Sequence, residues 1–114
     1  MTQTDNSAIV ATPLNGHIGA EISNIDLGRP LAQADFDALQ AALARYEVLV
    51  FRDQDISLEA QIAFAKRFGN LSTHPFATNL PDVPEVIEFD NSGRTPAGPT
   101  DSWHSDETFR ARPP

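Results

Sequence analysis

The sequence has three histidines and no cysteine, which excludes disulfides, thiolate zinc sites, iron–sulfur clusters and a cysteine nucleophile. Only His, Asp and Glu remain as metal ligands. His17 lies beside Gly16 and Gly19 and reads as a solvent-facing turn residue. His104 differs, because Asp106 follows two positions later. In an extended strand, residues i and i+2 project from the same face, so one imidazole and one carboxylate would share a common space. That pair suits two adjacent ligands of a facial two-His, one-carboxylate site, which leaves three coordination positions open on ferrous iron. Alone, a His-x-Asp tripeptide is a weak signal, equally at home on a polar surface strand. His74, braced by Pro75, reads on its own as a loop histidine.

The elements that must position these residues are legible in part. Ala8-Ile9-Val10-Ala11-Thr12 and Ile18-Gly19-Ala20-Glu21-Ile22 flank an Asn15-Gly16 turn and predict a hairpin. Phe36, Leu39, Leu43 and Tyr46 recur at three- and four-residue steps and predict one face of a helix beginning after Pro30. Asp35 and Asp37 complement its dipole, whereas Ala32 is a poor cap. Val48-Leu49-Val50-Phe51 predicts a strand buried on both faces at the centre of the sheet. Ser57 predicts the cap of a second helix, with Leu58, Ile62, Ala65 and Phe68 as its apolar positions and Gly69 as its stop. Both helices read as covers for a sheet.

Beyond Gly69 the texture changes. Seven of the nine prolines fall from Pro75 onward, and Glu85-Val86-Ile87-Glu88-Phe89 is the clear strand there. Residues 91–102 lack periodicity, are dense in turn formers and predict a mobile lid loop. The chain runs out at Pro114 without closing an element, as if cut in mid-domain.

Composition narrows the function. The 114 residues suit one domain, and a net charge of −8 with scattered basic residues argues against nucleic acid or an anionic membrane surface. No stretch approaches the roughly 18 apolar residues of a membrane helix, and the first residues do not resemble a secretory signal. A cytoplasmic protein is the expectation.

Together, Pro13-Leu14, Ile18-Gly19-Ala20-Glu21-Ile22, Asp26-Leu27, Arg29-Pro30-Leu31, Val50-Phe51-Arg52-Asp53-Gln54, Arg67-Phe68-Gly69, His74-Pro75 and Trp103-His104-x-Asp106-x-Thr108-Phe109 resemble the N-terminal portion of the taurine dioxygenase family. That family comprises ferrous, 2-oxoglutarate-dependent enzymes and includes taurine, alkylsulfate and phenoxyacetate dioxygenases. The resemblance implies an α+β fold, the N-terminal part of a double-stranded β-helix, or jelly roll, with two flanking helices. It implies that residues 1–114 are a fragment of a single dioxygenase domain.

By the same resemblance, His104 and Asp106 are the first two iron ligands, and His74 contacts the acidic head of a small anionic substrate. Ala77 and Thr100 stand where taurine enzymes carry tyrosine and asparagine, so Thr100 is a substrate-side position and taurine itself is in doubt. Glu107 replaces a small apolar residue beside the ligand. The second histidine ligand and the arginine that clamps 2-oxoglutarate would lie beyond Pro114. The implied reaction hydroxylates an organic anion, such as a sulfonate or sulfate ester, with O₂, giving succinate and CO₂. Two rivals stay open: a catalytically incomplete fragment, and a metal hydrolase built on His104 and Asp106, for which further ligands at short spacing are not seen. Homo-oligomerisation is not decided by the sequence.

Overall fold

The structure, a computed structural model, describes residues 8–77, 79–89 and 103–113. The chain divides into two compact units, Met1–Gly69 and Asn70–Pro114. In the first, strands β1 (Val10–Pro13) and β2 (Ala20–Ser23) pair antiparallel, with Val10 opposite Ser23 and Pro13 opposite Ala20. The predicted hairpin is present, and its turn is closed by side-chain chemistry: Asn15 Oδ1 accepts the N–H groups of His17 and Ile18 at 2.9 and 2.8 Å. His17 is exposed there, as expected of a turn residue.

Helix α1 spans Gln33–Tyr46, with Asp35 in its first turn. Ala32 occupies the capping position and makes no side-chain cap bond. The buried face is Phe36, Leu39 and Ala42, whereas Leu43 is exposed. The predicted face is thus present at Phe36, Leu39 and Tyr46, which packs against the core, with Ala42 buried in place of Leu43. Glu47 ends the helix at φ +66°, its N–H returning to the carbonyl of Leu43. Tyr46 and Val48 carbonyls then accept the N–H groups of Gly19 and Ala20 at 2.8 and 2.9 Å, tying the helix exit to β2.

Strand β3 (Leu49–Phe51) pairs parallel with β2, giving the order β1-β2-β3. The expectation that Val48–Phe51 forms the centre of the sheet is thus corrected. Among the described residues β3 is an edge strand with all three residues half-buried, and β2 is central, with Ala20 and Ile22 buried. An apolar run reports burial but not which neighbours a strand finds.

Helix α2 (Leu58–Lys66) is capped as predicted: Ser57 Oγ accepts the N–H of Ala60 at 3.2 Å, with Glu59 in the first turn. None of its residues is fully buried. Its packing runs through aromatic edges instead, Phe64 meeting Phe51 at 6.0 Å and Phe68 at 5.3 Å, and Phe68 meeting Phe36 at 5.0 Å. Arg67 fastens the helix exit. Its guanidinium lies 4.3 Å from the centre of the Phe36 ring and donates to the Leu31 carbonyl and to Gln33 Oε1 at 3.0 and 2.9 Å. The core of the unit is Ile22, Leu39 and Ala42 with Leu49, Phe51 and Phe64 packed against it.

The second unit contains a short antiparallel pair, β4 (Asn79–Leu80) and β5 (Val83–Ile87). The predicted strand therefore begins two residues earlier and ends before Phe89. β4 was not legible, since two residues carry no periodicity. Residues 91–102, the predicted lid, lie outside the described residues.

Candidate metal and anion site

The chemistry-bearing residues of the second unit sit in loops and turns. Residues 103–105 have no regular element and 106–109 form a turn, closed by the Arg110 N–H on the Glu107 carbonyl at 2.9 Å. This corrects the expectation of an extended strand at His104 and Asp106. The two side chains nevertheless converge, with His104 Nε2 3.1 Å from Asp106 Oδ1.

That separation fits a shared ion. Donor atoms bound at about 2.1 Å and at right angles to each other lie about 3.0 Å apart. Both side chains are largely exposed, at 61% and 86%, and so open to an entering metal. Among the described residues no His, Cys, Asp or Glu completes a group of three able to hold one. Among the described residues, His104 and Asp106 thus converge as a pair with no third candidate ligand beside them.

His74 is held on three sides. The Phe76 N–H donates to its Nδ1 at 3.2 Å, and its carbonyl accepts from Asn79 Nδ2 at 2.9 Å. A nitrogen that accepts a backbone N–H carries no proton of its own, so the ring proton resides on Nε2. Nε2 faces Glu107 Oε1 at 3.8 Å. The Glu107 side chain is 7% exposed and forms an ion pair with Arg110 Nε, while Arg110 Nη2 donates to the Thr73 carbonyl at 2.9 Å. Phe76 and Phe109 flank the imidazole edge-on, each at 6.2 Å, and meet each other at 5.5 Å. Thr100 lies outside the described residues.

Glu107 adopts φ +45°, a left-handed conformation that costs a residue with a Cβ about 1–2 kcal/mol. The turn, the Arg110 pair and the contact with His74 hold it there. In the sequence Glu107 stands out only as a departure from the family pattern, and nothing there by itself pairs it with Arg110. The available signal was opposite charges at positions i and i+3 in a segment rich in turn formers.

With this geometry in view, the comparisons place the chain. Residues 11–114 match the model of the Taurine catabolism dioxygenase TauD, TfdA family, and the chain belongs to that family. It is 36% identical over 98 residues to an alpha-ketoglutarate-dependent sulfate ester dioxygenase of Pseudomonas putida, covering 85% of this chain and 32% of that protein. It is 37% identical over 100 residues to an (S)-phenoxypropionate/alpha-ketoglutarate-dioxygenase of Sphingobium herbicidovorans, covering 85% of this chain and 34% of that one. The chain thus spans about a third of the length of these curated relatives.

A taurine dioxygenase from Burkholderia xenovorans superposes with a TM-score of 0.66 at 37% identity, over 70% of this chain and 29% of its own. AAD-2 in complex with Mn(II) and N-oxalylglycine gives a TM-score of 0.56 at 38% identity, over 57% of this chain and 24% of its own. The α+β arrangement of two helices beside small sheets is the one these dioxygenase structures share with it. No described helix is long and apolar enough to cross a membrane.

Proposed function

We propose that the protein carrying this segment is a ferrous, 2-oxoglutarate-dependent dioxygenase that hydroxylates a small organic anion, a sulfonate or sulfate ester being the favoured class. The observation that carries this reading is the 3.1 Å approach of His104 Nε2 to Asp106 Oδ1 within a family of such enzymes. His104 and Asp106 would hold the metal, and a histidine and an arginine from elsewhere in the protein would complete the iron site and clamp 2-oxoglutarate. Bound iron with 2-oxoglutarate and O₂ supplies the oxidising power, with succinate and CO₂ as co-products. The segment would be the N-terminal part of one jelly-roll domain in a cytoplasmic enzyme, with 91–102 as its lid.

His74 would anchor the acidic head group. Its Nε2–H is aimed by the Phe76 bond on Nδ1, and the flanking Phe76 and Phe109 rings offer apolar surface to an alkyl or aryl tail. Ala77 in place of a tyrosine, and Thr100 in place of an asparagine, argue against taurine. A panel of taurine, alkyl sulfates and aryloxy acids, scored by substrate-dependent succinate release, tests this. Sulfate esters should lead, and taurine ahead by tenfold would overturn the reading.

A second reading, a catalytically incomplete fragment, is favoured by the lack of a third metal ligand among the described residues. Succinate formation by the 114-residue chain itself would exclude it.

A further inference from the structure

We propose that Glu107 is the positioning residue of His74 and makes the site selective for a singly charged head group. This rests on the reading of His74 as the substrate's anchor. Three observations converge on Glu107: its carboxylate is almost wholly buried, its backbone is held at φ +45°, and its Oε1 faces the one ring nitrogen of His74 that bears a proton. A buried carboxylate needs a partner, and Arg110 supplies it. Arg110 is fastened in turn by its bond to the Thr73 carbonyl, immediately before His74 in the chain.

The separation of 3.8 Å sets the consequence. It is close enough for the carboxylate to attract the Nε2–H and fix the ring plane, but beyond hydrogen-bond reach, so the donor stays available to a substrate oxygen. Arg110 offsets the charge of Glu107, so one added negative charge is tolerated beside the imidazole. A second is not, because the entering group meets a single N–H donor backed by a carboxylate. A sulfate ester or carboxylate therefore fits where a phosphate monoester dianion of the same shape is refused.

The test uses the whole protein and a matched pair of ligands, an alkyl sulfate as substrate and the same alkyl phosphate as competitive inhibitor, at a pH of about 8, where the phosphate is a dianion. Glu107→Gln keeps the shape and removes the charge. It should shift the preference between alkyl sulfate and alkyl phosphate at least tenfold toward the phosphate, read as the ratio of the KM for the sulfate to the inhibition constant of the phosphate. Glu107→Ala should raise the KM for alkyl sulfate at least tenfold with a smaller effect on kcat, and should add nothing in a His74→Ala background. An unchanged sulfate-to-phosphate preference in Glu107→Gln overturns the proposal, as does a Glu107→Ala effect that persists without His74. If His74→Ala alone binds alkyl sulfate as well as the wild type, the anchoring role of His74 fails instead.

Discussion

At the scale of single residues, what matters is which groups a turn can bring together. His104 and Asp106 are two positions apart, and the backbone between them decides whether their donor atoms diverge or meet at 3.1 Å. Replacing either with alanine in the whole protein should lower 2-oxoglutarate turnover by about 100-fold or more, measured as succinate release, because the remaining ligands no longer hold the ion in facial geometry. Activity within a few-fold of wild type in both variants would remove them from the metal. The pairing of His104 with Asp106 was legible in sequence as a spacing. The surroundings of His74 were not, since its contacts to Glu107, 33 positions away, depend on how the loops of the second unit fold together.

At the scale of elements, the caps and core contacts carry the predictions. Leu39 is fully buried between α1 and the sheet, and Leu39→Ala should cost about 3 kcal/mol by removing its transfer energy and leaving a cavity. Denaturant titration of the whole protein, followed by tryptophan-independent far-ultraviolet circular dichroism, reads the loss. Ser57→Ala should cost about 1 kcal/mol through the Ala60 N–H it abandons. Glu59 lies in the same turn, and bonds from its own backbone N–H and from Ser57 hold its carboxyl below the ordinary range. A carboxyl with a lowered folded value stabilises the fold at pH above its unfolded value and loses that contribution as the pH falls through the folded one. Below a pH of about 4, α2 should therefore fray in the wild type, and Glu59→Gln should flatten that dependence; identical acid profiles for the two would show that the carboxylate does not support the helix.

At the scale of the whole molecule, the segment supplies two candidate ligands, His104 and Asp106, where the proposed reaction needs a third and a cationic clamp for its dianionic cosubstrate. Ferrous ion added anaerobically to the 114-residue chain should bind weakly, and 2-oxoglutarate should not strengthen it, whereas the whole protein should show a clear gain with the cosubstrate. Calorimetry with and without 2-oxoglutarate separates the cases. A cosubstrate-dependent gain in the segment alone would mean that copies of the chain assemble a complete site between them.

The sequence by itself determined the family, the hairpin and the two helices with the Ser57 cap, and it singled out the spacing of His104 and Asp106, because each rests on spacing or on chemistry local to a few residues. Only the tertiary structure decided that β2 rather than Val48–Phe51 is central among the described strands, since a strand's neighbours come from distant parts of the chain. It also decided that α1 packs on Ala42 rather than Leu43. Three- and four-residue steps leave two adjacent faces open, and the shape of the sheet chooses between them. The placing of a buried carboxylate against His74 belongs to the same class: opposite charges three residues apart were visible in the sequence, but their burial, and the histidine they face, follow from the folding of a turn onto a loop.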